Sequence, residues 1–318
     1  MKEILEKFKN QKIAVIGDLI LDKYIYGKVE RISPEAPVPI VTVQKESFVP
    51  GGAANVAANV ASLGGKAFLL GIVGPDQFKD ELINKLADSN IDCRGILIDE
   101  SKRTTLKTRV IGLNQQLLRI DYEDTHYIES HAEEEFINKL KEIEDLSAII
   151  LSDYAKGTIT RKLVKELKKL CSENSIPLLI DPKPKHKEWY SDSFLITPNK
   201  KEALEMSSMI IDSEEDFLKV GKKIVNELSS NVIITAGAEG MYIFEHHKAP
   251  VHIHTEAKEV YDVSGAGDTV VSTLALAISS GASISEAAQL ANAAAGIKVG
   301  KSGTAVVTYA ELTMNLKI

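Results

Sequence analysis

The chain has 318 residues, of which 44% are hydrophobic and 26% charged, an ordinary composition for a globular protein. This length suits one large α/β domain or two small ones. The formal net charge of −7 argues against broad nucleic-acid binding, which needs a basic surface to meet the phosphates. It does not exclude a small anionic ligand, because a pocket can be positive on an acidic protein.

The cysteine content and the apolar stretches bear on the compartment. Two cysteines, Cys93 and Cys171, are typical of a reducing compartment. Residues 1–9 alternate charged and apolar side chains and lack the apolar core of a signal peptide. The longest apolar stretch, residues 270–278, is far shorter than the roughly 20 residues that span a bilayer. We expect a cytoplasmic protein with no membrane or nucleic-acid partner.

Short apolar runs recur along the chain between segments with helical spacing. The predicted buried strands are residues 12–17, 67–71, 148–151, 177–181 and 231–235, and the clearest helices are 160–172 and 213–228. Apolar strands that alternate with amphipathic helices predict a central, mostly parallel sheet flanked by helices. No internal repeat or low-complexity linker interrupts the pattern, so we expect a single domain over residues 1–318.

Two regions depart from this alternation. Residues 19–45 and 103–122 have the period-two pattern of half-buried strands, and residues 112–115 suit a hairpin turn in the second region. Four strands outside the main pattern predict a small projecting β-sheet that could act as a lid over a ligand. Its exposed face is a candidate dimer surface.

The strongest chemical signal is the segment DVSGAGDT at residues 262–269, which precedes a helical stretch. Small residues at Gly265, Ala266 and Gly267 let the backbone approach an anion, and a helix start supplies unpaired N–H groups and a positive dipole end. A carboxylate at Asp268 could then remove a proton from an attacking hydroxyl. Phosphoryl transfer needs this combination. Taken alone, Asp268 could equally be a first-turn acid stabilised by the helix dipole.

A second signal lies near the N-terminus. Adjacent glycines at Gly51 and Gly52 permit close backbone contact with a ligand, and Asn55 offers a donor and an acceptor to sugar hydroxyls. A tight turn with helix packing explains the same residues equally well. Asp18 follows the first buried strand, where parallel sheets bind ligands, and could contact a substrate hydroxyl.

The third signal is a pair of oxygen-bearing side chains at a predicted helix start. Asn199 and Glu202 are three residues apart on one helix face. Such ligands suit Mg²⁺, usually through its retained waters. The competing interpretation is an N-terminal capping box with no metal.

These three segments, in this order, resemble the ribokinase-like (PfkB) carbohydrate kinase family. Further stretches at residues 17–24, 31–39, 114–119, 151–157 and 292–296 resemble its heptose 7-phosphate kinase branch. The resemblance extends from Lys12 to Leu312. Members of this branch are often fused to a nucleotidyltransferase domain, and we expect the stand-alone kinase here.

The resemblance implies ATP as phosphoryl donor and a role for each matching residue. Asp268 would deprotonate the sugar's C1 hydroxyl, while Asn199 and Glu202 would organise Mg²⁺ through water. The implied anion hole is Gly265, Ala266 and Gly267. The implied ATP-binding residues are Asn199, Glu202, Thr235, Gly237, Gly240, Asn292 and Lys183. The implied sugar-binding residues are Asp18, Gly51, Gly52 and Asn55.

Two further points follow from the resemblance. A monovalent cation such as K⁺ is common in the family near the positions of Asp262 and residues 300–303. The branch usually has glycine where Pro184 stands, after Lys183. Proline fixes φ and removes an N–H donor, so the place of Lys183 near the phosphates depends on the local backbone.

A heptose 7-phosphate carries a dianion far from its reacting C1, so its site needs fixed positive charge. The candidates in or beside the lid strands are Arg109, Arg119, Lys107 and Arg31. Exposed lid charges with no ligand are the alternative for each.

The sequence therefore predicts a kinase that makes D-glycero-β-D-manno-heptose 1,7-bisphosphate on the way to ADP-heptose for lipopolysaccharide core. The alternatives are another ribokinase-like kinase for a different sugar or sugar phosphate, and a non-catalytic sugar- or nucleotide-binding regulator. We expect a homodimer formed through the lid strands.

Overall fold

The core of the molecule is a nine-stranded, mostly parallel sheet. It is seen in a computed structural model that describes residues 1–87, 89–113, 115–210, 214–255, 261–301, 303 and 305–317. In spatial order the strands are β13-β12-β11-β10-β9-β8-β1-β4-β5. Their bounds are β1 Lys12–Gly17, β4 Lys66–Val73, β5 Ile91–Ile98, β8 Ala148–Ser152, β9 Leu178–Asp181, β10 Leu195–Ile196, β11 Asn231–Thr235, β12 Met241–Phe244 and β13 Val251–Ile253. Only the pairs β11/β12 and β12/β13 are antiparallel.

Helices cover both faces of this sheet. Their bounds are α1 Lys2–Glu6, α2 Ala53–Ser62, α3 Gln77–Ala87, α4 Ser130–Lys141, α5 Arg161–Asn174, α6 Lys200–Ser207, α7 Glu214–Leu228, α8 Ala266–Ser279, α9 Ile284–Val299 and α10 Tyr309–Asn315. Along β1, Ile13 and Val15 belong to the apolar cluster under α2, α8 and α9, whereas Ala14 and Ile16 belong to the cluster under α4, α5 and α7. Both faces of the strand are therefore buried, which explains its uninterrupted apolar sequence.

A second sheet, called the small sheet below, contains β2 Leu19–Ile32, β3 Pro39–Gly52, β6 Thr105–Gly112 and β7 Gln115–Tyr122 in the order β3-β2-β6-β7. The predicted lid strands are confirmed as strands of a separate sheet. One detail differs from expectation: β3 continues to Gly52, beyond the predicted limit. Within the sheet, β2 pairs with β6 in parallel. Asn114, in the predicted hairpin turn, lies outside the described residues.

The carboxyl ends of β1, β8, β9, β10 and β11 meet at one edge of the main sheet, because these strands are parallel. Asp18 follows β1, and α2 and α8 both begin near this edge. This is where open α/β sheets bind ligands. Among the described residues, no helix has the length and apolar character needed to cross a membrane.

Candidate active site

Asp268 lies in the first turn of α8, which begins after Gly265 in the left-handed conformation (φ 77°). Its side chain is buried, with 4% of the residue exposed. One carboxylate oxygen, Oδ2, accepts a hydrogen bond from Asn55 Nδ2 at 2.5 Å. The other, Oδ1, accepts one from the Tyr154 hydroxyl at 2.9 Å. The carboxylate is thus fixed in orientation by two donors from different parts of the chain.

The N-terminus of α8 presents unpaired backbone donors. Within the described part of the chain, no hydrogen bond partner occurs for the N–H groups of Gly265, Gly267 or Asp268. The N–H of Ala266 instead donates to Val263 O at 3.2 Å. The predicted anion hole therefore has Gly265 and Gly267 as free donors, Asp268 as a third, and Ala266 with its donor already engaged. Open space lies in front of Gly267, where an added Cβ would meet no atom within 4 Å.

Asn55 is placed by the turn into α2. Gly52 has φ 56°, and a Cβ there would lie 2.4 Å from Asp18 O, so glycine is required. The backbone N–H of Ala53 donates to the same oxygen of Asp18 at 3.1 Å. Helix α2 also packs on α8, where Thr269 Oγ1 donates to Asn59 Oδ1 at 2.8 Å. These contacts hold Asn55 against Asp268, so its amide orients the Asp268 carboxylate.

Asp18 was predicted to contact a sugar hydroxyl, but its partners are backbone groups of its own chain. Its buried carboxylate accepts hydrogen bonds from the backbone N–H groups of Tyr154 at 2.8 Å, Lys156 at 3.0 Å and Thr158 at 3.0 Å. Asp18 therefore holds the loop that carries Tyr154. A sugar hydroxyl would have to share acceptors that the loop already occupies.

Burial raises the pKa of Asp268 to about 6. The hydrogen bonds from Asn55 and Tyr154 oppose this rise by favouring the ionised form, and the nearby charge of Asp22 adds to it. A carboxylate with a pKa near 6 is ionised at neutral pH and is a stronger base than an exposed aspartate. This is the range that suits a general base.

Asn199 and Glu202 form a capping box at the start of α6. Asn199 Oδ1 accepts from Glu202 N at 2.9 Å, and Glu202 Oε2 accepts from Asn199 N at 3.0 Å. The other oxygen of Glu202 accepts a short hydrogen bond from Lys183 Nζ. The capping box is present, and the same glutamate also holds Lys183.

Lys183 reaches the site despite the proline that follows it. Pro184 begins a 3₁₀ helix over Pro184–Tyr190, a position where the missing N–H costs nothing. Lys183 N donates to the Tyr190 hydroxyl at 3.1 Å, and Lys183 Nζ lies 5.3 Å from the centre of the Tyr154 ring. Its positive charge also lowers the pKa of Asp268. The departure at Pro184 therefore leaves Lys183 beside the base.

The other predicted nucleotide residues lie further along the same edge. Thr235 ends β11 and bridges to Asn199. Gly237 has φ 58° with open space around it, whereas a Cβ on Gly240 would lie 2.0 Å from Ile253 O, so Gly240 shapes the turn. Asn292 Nδ2 donates to His254 O at 2.8 Å and joins α9 to the end of β13.

Three of the four predicted phosphate-binding cations share one face of the small sheet. On neighbouring strands, Lys107 is opposite Asp22 and Asp121, and Arg109 is opposite Arg119. Each is paired with a carboxylate: Arg109 with Asp22 at 2.5 Å, Lys107 and Arg119 with Asp121 at 3.0 and 2.8 Å. Of these three, Arg109 is paired with Asp22, whose negative charge raises the pKa of Asp268.

Arg31 is not brought to this site. It lies nine positions beyond Asp22 on β2, roughly 30 Å along an extended strand, and is exposed. Its assignment to the substrate's phosphate stays a prediction. Gly51 lies beside Asp22, since a Cβ there would be 2.7 Å from Asp22 Oδ2.

Two residues of the site were missed in the sequence. Tyr154 donates to Asp268, and Asp22 raises its pKa, but neither was assigned a role. Tyr154 lies just after β8, at the edge of the sheet where ligands bind. That position was the signal that could have identified it. Asp22 had no such signal, because a charged residue in an alternating strand is usually a solvated one.

The family model for pfkB family carbohydrate kinases matches residues 10–309. The structure is similar to Arabidopsis thaliana ribokinase complexed with ribose and ATP, with a TM-score of 0.78 and 19% identity over 97% of this chain and 99% of that one. It is also similar to Escherichia coli phosphofructokinase-2 in complex with potassium, with a TM-score of 0.78 and 20% identity over 96% of this chain and 98% of that one. At these identities the two structures establish the ribokinase-like fold.

Curated relatives are closer in sequence. The bifunctional protein HldE of Desulfatibacillum aliphaticivorans is 41% identical over 312 residues, which are 98% of this chain and 64% of that protein. This chain thus spans somewhat less than two thirds of that relative's length. The match to the family model over residues 10–309, with the buried Asp268 at the helix start, leads to one conclusion: the chain belongs to the PfkB family of carbohydrate kinases.

Proposed function

We propose that this kinase transfers the γ-phosphate of ATP to the C1 hydroxyl of D-glycero-β-D-manno-heptose 7-phosphate, giving the 1,7-bisphosphate. The product would feed ADP-heptose synthesis for lipopolysaccharide core, and the reaction would take place in the cytoplasm, where ATP is available. The observation that carries the proposed chemistry is the buried Asp268 carboxylate, held by Asn55 and Tyr154 at the N-terminus of α8.

In the proposed reaction, Asp268 removes the proton of the C1 hydroxyl as its oxygen attacks the γ-phosphorus. The bond from the γ-phosphorus to the bridging oxygen breaks, and that electron pair leaves with ADP. The free N–H groups of Gly265, Gly267 and Asp268 would stabilise the charge on the transferred phosphoryl oxygens. The positive end of the helix dipole acts in the same direction.

Lys183 is suited to the phosphates of ATP. It stands beside Tyr154 and is held there by Glu202, so its charge is fixed before the nucleotide binds. The open surface around Gly237 would admit the nucleotide, while Gly240, Thr235 and Asn292 shape its surroundings. Fixed charges placed in advance cost no reorganisation during the reaction.

Magnesium fits this site only through water and phosphate. Within the described residues, no group of three or more metal-ligating side chains is present. Asn199 and Glu202 bond mainly to each other and to Lys183, so they would hold the waters of Mg²⁺ bound to ATP. When bound, Mg²⁺ neutralises phosphate charge.

Two observations support the heptose phosphate. The HldE relative is 41% identical across nearly the whole chain, in line with the resemblance to the heptose 7-phosphate kinase branch. The face of the small sheet with Arg109, Lys107 and Arg119 offers positive charge for a distal phosphate. Their carboxylate partners would have to release them, so the phosphate must compete with Asp22 and Asp121.

The test is a coupled ADP-release assay with Mg·ATP that compares the heptose 7-phosphate with unphosphorylated heptose, ribose, fructose, fructose 6-phosphate and adenosine. We expect kcat/KM for the heptose phosphate to exceed the others by at least about 100-fold. Preference for another sugar would refute the substrate and leave the kinase. No turnover of any of them, with nucleotide still binding, would favour the regulator.

A further inference from the structure

Lys298, which has no role in the proposed reaction, is a fully buried lysine near the C-terminus of α9. Its relative exposure is 0%. Its ammonium donates a hydrogen bond to the carbonyl oxygen of Gly303 at 2.8 Å. Lysines are rarely buried without a carboxylate partner in contact, so the position requires an explanation.

Near this ammonium, hydrogen bonds join the segment before α8 to the segment after α9. Asp262 is the nearby charge that most favours the protonated form of Lys298, against the effect of burial, which lowers its pKa. The Asp262 carboxylate accepts from Ser264 N and from Gly303 N, both at 2.9 Å, and so joins the α8 loop to the segment after α9. The Val299 carbonyl accepts from Tyr261 N at 2.6 Å and closes the same connection.

The lysine also reaches the predicted anion hole. A Cβ placed on Gly265 would lie 3.7 Å from Lys298 Cε, and the same point is 3.7 Å from Asp268 Oδ2. The charge of Lys298 is felt at Asp268 as well as at Asp262. The side chain of Lys298 therefore lies close to Gly265, at the start of α8.

The family resemblance implies a monovalent cation in this region, near Asp262 and residues 300–303. The described residues of this region, which do not include Ser302 and Thr304, do not fit one. The Lys298 ammonium already bonds to the Gly303 carbonyl, and its positive charge would repel a second cation placed beside Asp262.

We propose that Lys298 is a tethered replacement for the monovalent cation, so that this kinase needs no K⁺ to order the N-terminus of α8. An ammonium is a compact single positive charge, and here it bonds to the Gly303 carbonyl and lies near the charge of Asp262. Because it is covalently attached, it is present at any salt concentration. The inference concerns a positioning residue and does not depend on which sugar is the substrate.

The first test measures turnover of the best sugar substrate while KCl replaces choline chloride at constant ionic strength. We expect less than a twofold change for the parent protein. Lys298→Ala should lose at least about tenfold in kcat in choline and regain most of it in K⁺, because the cavity can then admit the ion. Lys298→Met should lose as much and regain nothing, because its side chain fills the same space.

The matched control is Lys168→Ala. That lysine also donates to a backbone carbonyl, Ser191 O at 3.0 Å, but lies on α5 outside the site. It should show parent-like turnover in both salts.

A second readout does not use turnover. Crystals soaked in Tl⁺ should show an anomalous peak between Asp262 and Gly303 in Lys298→Ala and none in the parent. Strong K⁺ activation of the parent, or a Tl⁺ peak in it, would overturn the proposal even if the variants failed to fold. Parent-like kcat of Lys298→Ala in choline would do the same. None of these results bears on the sugar preference, which the substrate comparison decides separately.

Discussion

The Asp268 carboxylate combines two opposing demands. The proposed reaction requires it to be ionised, whereas its burial favours the protonated form and raises its pKa to about 6. The hydrogen bonds from Asn55 and Tyr154 lower this pKa, but they do not return it to the ordinary value of an aspartate. The protein therefore carries a destabilising carboxylate at the position where a base is needed.

The Asp268→Asn protein should lose turnover by about 10²- to 10⁴-fold, since its amide cannot accept the proton. It should also be more stable. The folded-state pKa lies above the ordinary value, so stability falls as pH rises from about 4 to 6, and a cost of about 3 kcal/mol persists above that range. Calorimetry should show a larger gain in Tm at pH 8 than at pH 5. Parent-like turnover would exclude Asp268 as the base.

The two donors to Asp268 can be tested through the pH dependence of kcat/KM. Asn55→Ala and Tyr154→Phe each remove a hydrogen bond that lowers the pKa of Asp268, so the acid limb should move from about pH 6 to higher pH. Tyr127→Phe, which loses a contact with His186 outside the site, should keep the parent midpoint. An unchanged midpoint in both test variants would contradict the proposed role of these hydrogen bonds.

At the scale of elements, the loop between β8 and α5 depends on one carboxylate. Asp18 accepts three backbone N–H groups from this loop, and the loop presents Tyr154 to the base. A residue from the end of the first strand thereby determines the position of a donor more than 130 residues later. This loop therefore links the residue after β1 to the Asp268 carboxylate.

Asp18→Ala should lower the free energy of unfolding by at least about 2 kcal/mol, because unsatisfied buried donors cost about 1–3 kcal/mol each. Hydrogen exchange at the amides of Tyr154, Lys156 and Thr158 should accelerate before global unfolding. Urea titration and exchange mass spectrometry measure the two effects. Asp80→Ala removes an exposed carboxylate and is the control. Parent-like protection of the three amides would show that water replaces Asp18.

The sequence predicted the strands of the main sheet well, because a parallel strand buried on both faces is apolar regardless of its neighbours. Residues 12–17 and 231–235 match β1 and β11. It predicted Asp268 but not its partners, since Asn55 is 213 residues away and Tyr154 is 114 residues away. For Asp18 it predicted a hydrogen-bonded polar group correctly, but periodicity does not indicate which of many backbone groups will donate.

At the scale of the whole molecule, the small sheet exposes apolar side chains on β7. Leu118, Ile120 and Tyr122 point to one face and are 55%, 38% and 46% exposed. The face with Arg109 and Asp22 is the other one, so association through β7 would leave the site open. Contiguous exposed apolar side chains on an edge strand are typical of an interface.

We predict a homodimer that forms through this apolar face. Leu118→Glu should shift the sedimentation coefficient from dimer to monomer at micromolar concentration, since a charge would be buried there. Leu113→Glu alters an exposed leucine at the nearby turn and should leave the dimer intact. A parent protein that sediments as a monomer at high concentration would refute the prediction.

Both long strands of the small sheet leave the main sheet at one point. β2 begins directly after Asp18, β3 ends at Gly52, and Leu19 pairs with Gly52 where they diverge. The fourteen residues of β2 extend over about 46 Å. If the small sheet tilted by about 5° about the start of β2, the far end of β2 would move by about 4 Å. Asp22, four residues from Asp18, would move by only about 1 Å. The outer end of the small sheet can therefore move by several Å while Asp22 and the neighbouring Asp268 stay nearly in place.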